Sequence, residues 1–361
     1  MGPVSGGGAV PRRADLADLV GYHSPQVAAT VRLNTNESPF APPPAWYEET
    51  ARRVVRIPFH RYPDRGATDL RRAVGSLHGV GPERVFCANG SNEVLQSLLL
   101  AYGGPGRRVG LFEPTYSLHR HIAMITGTAV VTGRRDGEFL VPGDEADRVL
   151  AADPVVTFLC SPNNPTGRSE PGATVARLAA EVPGLLVVDE AYGQFAATSA
   201  LDLVGEGRPG ADRVVVVRTF SKTWAMAGAR LGYLVGPPDV VASCEAVALP
   251  YHLDAFTQMA GIVALEFREE MEARVAVLRE ERGRIAAGLG ALEVDTWPSD
   301  ANFLLFRPRH VAATEVWQRL LDRSVLVRDC SDWPGTPGCL RVTVGAPEEN
   351  RAFLSALRES L

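Results

Sequence analysis

Residues 214–230 read VVVVRTFSKTWAMAGAR. Four consecutive valines running into a hydroxyl-rich break describe a strand buried on both faces that empties into a polar loop, the pattern of a parallel sheet covered by helices. The same signal recurs upstream. Short β-branched or apolar runs at 84–87, 108–112, 155–160 and 185–188, together with 213–218, are separated by helical stretches. This alternation predicts an α/β fold with a largely parallel sheet, whose ligands sit beyond the carboxyl ends of the strands. A helical stretch over 257–289 then leads to a different rhythm, in which strands at 302–307, 325–328 and 340–344 alternate with helices at about 312–323 and 347–360. The expected organisation is an arm over 1–30, a large domain over 31–255, a connecting long helix over 256–289 and a small α+β domain over 290–361.

Composition narrows the function. The chain has 361 residues, 45% hydrophobic and 22% charged, with a formal charge of -5 and no basic block, so it lacks the electrostatic footprint of a nucleic-acid binder. No apolar run reaches membrane-spanning length, the Gly-rich start lacks the parts of a signal peptide, and Gly6 stands where a myristoylation signal needs Ser or Thr. A cytoplasmic protein without a membrane partner is expected. Five cysteines form an odd set without metal-ligand spacing, which predicts free thiols, no disulfide framework and no metal site.

One count stands apart. Of 37 basic residues a single one, Lys222, is lysine, leaving 36 arginines. Arginine supplies charge equally well, but only a deprotonated amine can attack a carbonyl to form a Schiff base, since guanidinium stays protonated. Composition alone leaves two readings, a nucleophile or a chance survivor of arginine-rich codon usage, and the neighbours decide between them. Thr219 and Ser221 flank Lys222 and Arg230 follows eight residues on. Hydroxyls and a guanidinium around an amine suggest an anchored phosphate. Asn89-Gly90-Ser91-Asn92 follows a strand and opens a helix, so it serves either as a plain N-cap or as an anion site on free N–H groups. In 185–192 (LLVVDEAY), Asp189 ends an apolar strand, where an acid needs a cationic or proton-donating partner. Residues 161–167 (SPNNPTG) form a turn of unusual length and order after a buried strand.

Taken together, Asn-Gly-Ser-Asn, Pro-Asn-Asn-Pro-Thr-Gly, Asp-Glu-Ala-Tyr, Thr-Phe-Ser-Lys with Arg230, and Leu340-Arg341-Val342-Thr343-Val344-Gly345 resemble the fold-type I pyridoxal phosphate aminotransferases. The motifs occur in the family order over roughly 30–345. The resemblance implies a seven-stranded, mostly parallel sheet sandwiched by helices, with pyridoxal 5'-phosphate as cofactor. It implies that Lys222 forms the Schiff base and shuttles a proton, that Asp189 keeps the pyridine nitrogen protonated, and that Asn164 and Tyr192 bond the ring 3'-oxygen. Tyr116 would stack on the ring. Gly90, Ser91, Asn92, Thr219, Ser221 and Arg230 would hold the phosphate. Tyr62 matches a tyrosine that reaches the cofactor of a neighbouring subunit, which implies a homodimer, and Arg341 matches the arginine that grips the substrate carboxylate.

Residues 33–37, 61–64, 249–253, 299–303 and 327–329 are most similar to the histidinol-phosphate aminotransferase branch. There, the equivalents of Arg328, Arg341 and Tyr22 bind the substrate phosphate. The implied reaction moves an amino group from a phosphate- or carboxylate-bearing amine, best matched by L-histidinol phosphate, to 2-oxoglutarate by a ping-pong mechanism. Thr223-Trp224 after the lysine and the helix from Tyr116 depart from the branch, which keeps an aromatic or specialised-metabolism amino-acid aminotransferase open as the alternative. A threonine-phosphate-type decarboxylase shares the fold and a phosphate-bearing substrate. A non-catalytic cofactor-binding regulator needs a DNA-binding domain ahead of the first motif, where only about 30 residues stand.

Overall fold

The computed structural model describes residues 10, 13–16, 27–205, 207–208 and 211–361. Twelve strands are found among them: β1 (Val31–Leu33), β2 (Val85–Ala88), β3 (Arg108–Glu113), β4 (Ala129–Arg134), β5 (Val156–Cys160), β6 (Leu185–Asp189), β7 (Val214–Thr219), β8 (Gly232–Val235), β9 (Val294–Thr296), β10 (Phe303–Pro308), β11 (Val325–Asp329) and β12 (Leu340–Thr343). Seven of them form one sheet in the order β2-β8-β7-β6-β5-β3-β4, in which only β8 runs against its neighbours.

The valine run explains itself in this sheet. Val214 and Val216 enter the apolar cluster on one face and Val215 and Val217 the cluster on the other, so every position is apolar rather than every second one. The sequence pattern did not announce β4 and β8. Strand β4 is a half-exposed edge, and β8 is only four residues that begin on Gly232 and stop before Gly236; Gly232 sits so close to the neighbouring backbone that a Cβ there would lie 2.2 Å from the Ser91 nitrogen. A side chain at 232 would push away the start of the helix Gly90–Tyr102.

The helical stretch expected over 257–289 is two helices, Ala255–Glu266 and Arg268–Gly290, separated at Phe267 (φ −104°, ψ 40°). Neither Pro nor Gly marks that break; Phe267 turns its ring onto the large apolar core instead. The remaining strands make a second sheet, β1-β11-β12-β10-β9. Strand β1 precedes the whole large sheet in sequence yet pairs with β11 in the second one, in register Val31 to Val325. Its exit therefore lays residues 34–37 across the junction between the sheets, over the carboxyl ends of β5, β6 and β7. Among the described residues no helix is long and apolar enough to cross a membrane and no group of side chains could hold a metal ion.

Candidate active site

Strands β5, β6 and β7 end at Cys160, Asp189 and Thr219, and all three line a cavity of about 300 Å³ that the second sheet closes with Arg328 and Arg341. Lys222, one turn past β7, projects into it and donates from Nζ to the Thr35 carbonyl oxygen at 3.1 Å. Burial and then the positive charges of Arg341 and Arg230, partly opposed by the negative charge of Glu37, lower the ammonium pKa to about 8. The shift brings the neutral amine, the form a nucleophile requires, far closer to physiological pH than in a free lysine.

A donor-rich corner faces Lys222. Ser91 and Asn92 stand in the first turn of the helix Gly90–Tyr102, where N–H groups lack helical partners. Thr219 Oγ1 donates to Ser221 Oγ at 3.0 Å, and Arg230 approaches the same Ser221 oxygen at 3.5 Å from a left-handed backbone (φ 55°). Gly90 (φ 80°) opens the space beneath: a Cβ would lie 2.7 Å from Arg230 Nη2. Two carboxylates, Glu37 and Asp189, line the cavity against four cations, Lys222, Arg230, Arg328 and Arg341. The site therefore favours anionic ligands.

Asp189 is 2% exposed and accepts from Ala191 N–H at 3.1 Å. Its Oδ2 lies 3.0 Å from Nε2 of the fully buried His119, whose ring stacks on Phe158 at 4.7 Å. Sequence reasoning did not single out His119. The available signal was its spacing, since on the helix Ser117–Ile125 it follows Tyr116 by one turn and so shares that residue's side of the cavity.

Across from Asp189, Tyr192 Oη accepts a hydrogen bond from Asn36 Nδ2 at 2.9 Å, and burial raises the phenol pKa to about 12. Arg341 donates to Asn164 Oδ1 and, at 2.9 Å, to the Asn34 carbonyl oxygen. Both partners are neutral, and among the described residues no carboxylate lies in ion-pair range of Arg341. Arg328 and Arg341 occupy directly opposite positions on β11 and β12, so their side chains share a face. Trp333, unremarked in the sequence, covers both guanidiniums at 5.3 and 6.0 Å from its ring. Tyr116 lines the cavity and donates to Asn92 Oδ1 at 3.3 Å.

Thus Ser91, Asn92, Tyr116, Asn164, Asp189, Tyr192, Thr219, Ser221, Lys222, Arg230, Arg328 and Arg341 meet at one cavity, with Gly90 packed beneath. Tyr62 does not: it is 79% exposed on the surface, stacked on Tyr251 at 4.5 Å. Tyr22 lies outside the described residues.

The aminotransferase class I and II family matches residues 28–357. A histidinol-phosphate aminotransferase of Nocardia farcinica is 45% identical over 359 residues, covering 97% of this chain and 91% of its own. One of Thermobifida fusca is 45% identical over 356 residues, covering 96% and 95%. Among solved structures, the histidinol-phosphate aminotransferase of Sinorhizobium meliloti in complex with pyridoxal-5'-phosphate superimposes with a TM-score of 0.85 over 98% of both chains, at 24% identity.

Proposed function

The chain belongs to the class I and II aminotransferases, and from that premise we propose that it transfers the amino group of L-histidinol phosphate to 2-oxoglutarate. It is a pyridoxal phosphate-dependent transaminase acting by ping-pong alternation between an amine and a 2-oxo acid. The residues fit that cofactor. Gly90 leaves a hollow beside Arg230 and the first helical turn for a phosphate, and an acid at Asp189 stands across the same cavity for a ring N–H.

When bound, the cofactor supplies an electron sink that lets the Cα–H bond of an amine substrate break. Ser91, Asn92, Thr219, Ser221 and Arg230 hold its phosphate in this reading, and Tyr116 covers the ring. Asp189, kept in place by His119 and the Ala191 N–H, holds the proton on the pyridine nitrogen. Tyr192 and Asn164 donate to the 3'-oxygen. Lys222 would anchor the cofactor through Nζ and, once displaced by substrate, the same nitrogen would carry the proton lost from the substrate carbon across to the cofactor.

The observation that carries the substrate is the cross-strand pair Arg328 and Arg341 at one end of this cavity, in a chain 45% identical to aminotransferases named for histidinol phosphate. Two guanidiniums suit a dianionic phosphate and serve the carboxylate of the 2-oxo acid in the second half-reaction. Tyr62, Phe59 and Leu249, each at least 70% exposed, supply an apolar surface for a homodimer in which Tyr62 reaches the neighbouring site. Five free buried cysteines suit a reducing compartment, and the cytoplasm is the proposed location.

The test is the visible band of the purified holoenzyme after adding histidinol phosphate, then phenylalanine, tyrosine and glutamate in separate cuvettes. Loss of the band with histidinol phosphate is expected. Loss only with an aromatic amino acid would leave the transaminase and discard the substrate; release of carbon dioxide without need of a 2-oxo acid would make it a decarboxylase.

A further inference from the structure

The hydroxyl proton of Tyr192 has a determined direction, and the determinants lie on the other sheet. Asn36 is 1% exposed, in a left-handed conformation (φ 56°) just past β1. Its backbone N–H donates to Thr343 Oγ1 at 3.0 Å, and the same hydroxyl lies 3.0 Å from Asn36 Oδ1. The Thr343 hydroxyl donates to Oδ1, so that the amide oxygen of Asn36 faces Thr343 and its NH2 faces Tyr192. Asn302 Nδ2, donating to the Asn36 carbonyl oxygen at 3.2 Å, ties the residue to the start of β10. Tyr192 Oη therefore accepts from Asn36. Among the described residues no group takes the Tyr192 proton, and Tyr192 lines the cavity.

We infer that Asn36 and Thr343 are positioning residues that turn the Tyr192 O–H into the cavity as an obligatory donor to an anionic ring oxygen. The inference rests on the proposed role of Tyr192. Asn164 converges on the same behaviour by an independent route, because Arg341 holds its Oδ1 and leaves its NH2 free to donate. The amide of Asn36 also polarises the phenol, as hydrogen bonds in series strengthen one another. Since Asn36, Thr343 and Asn302 follow the second sheet while Tyr192 follows β6, the donor is correctly aimed only when the two sheets are seated together.

The charged and titratable groups around the phenol are Arg341, Asp189 and Cys160, with Lys222 Nζ 5.9 Å from the ring. They are unchanged in Thr343→Val, whereas Asn36→Asp adds a carboxylate whose own charge also raises the midpoint, so the neutral Thr343→Val carries the decision. A hydrogen bond donated to an anionic oxygen favours the deprotonated form, so losing it raises the pH midpoint of the visible band of the substrate-free holoenzyme. In Thr343→Val the amide loses what orients it, and in Asn36→Asp a carboxylate replaces the donor and captures the phenolic proton. Each is expected to raise the midpoint by about one unit, and Thr343→Ser, which keeps the hydroxyl, restores it. Tyr192→Phe separates the two levels of the argument. No shift in Tyr192→Phe would overturn the role of Tyr192 itself; a shift there with none in Thr343→Val and Asn36→Asp would overturn only the inference. Far-UV circular dichroism accompanies each titration, and the isosteric Thr343→Val, buried in a strand, decides the matter if Asn36→Asp fails to fold.

Discussion

His119 Nε2 lies 3.0 Å from Asp189 Oδ2, both side chains almost wholly withdrawn from solvent. The contact joins the end of β6 to the helix Ser117–Ile125 and gives a buried carboxylate the polar partner it requires. Removing that partner leaves Asp189 with one backbone N–H. His119→Leu is expected to destabilise the apoprotein by about 1–3 kcal/mol, read by thermal unfolding, and to weaken cofactor retention on dialysis. Wild-type values for both would mean that the pair contributes nothing.

Lys222 titrates near 8 in the folded chain against 10.5 for a free lysine. Between those values the unfolded chain binds the proton that the folded chain has released, so stability from this group rises with pH across that window and the penalty is complete below about 8. Lys222→Met removes the penalty. Its apoprotein is expected to be more stable than wild type at pH 7 by about 2 kcal/mol, allowing for solvent that reaches the amine, and to gain nothing at pH 11. An equal gain at both pH values would assign the effect to packing.

The same titration governs cofactor capture. Binding through the neutral amine predicts that the rate at which apoprotein takes up pyridoxal phosphate increases with pH and levels off above about 8. Lys222→Arg, unable to deprotonate, should keep its fold and lose all turnover. A pH-independent uptake rate would contradict the attachment at Nζ.

Arg328 and Arg341 face one another, yet their replacements should differ. Arg328→Ala is expected to lower kcat/KM for the phosphate-bearing amine about 10- to 100-fold with the visible band intact. Arg341→Ala should match that loss and also shift the band, because Asn164 loses the guanidinium that orients it. A bleached band in Arg328→Ala would place this arginine on the cofactor instead.

Complementation tests the shared site. Lys222→Arg and Tyr62→Ala subunits, each inactive alone, should recover about a quarter of wild-type turnover when unfolded together and refolded in equal amounts, since half the dimers are mixed and each has one whole site. No recovery, with dimers present by sedimentation, would remove Tyr62 from the neighbouring site.

What the sequence determined by itself was the order of the chemistry along the chain. A lone lysine after a valine strand, an acid closing an apolar strand, and a Gly-Ser-Asn turn opening a helix are local statements, fixed by strand periodicity and by the scarcity of one residue type. The tertiary structure decided what could not be local. Residues 34–37 reach the cavity because β1 crosses to pair with β11, some 290 residues away, and pairing at that range leaves no mark in a short apolar run. His119 and Asn36 act through partners 70 and 156 positions distant, and a neutral polar side chain declares its role only when its hydrogen-bond partners are brought to it. Motifs placed the reactive groups at strand ends; packing between the two sheets chose which of their protons face the cavity.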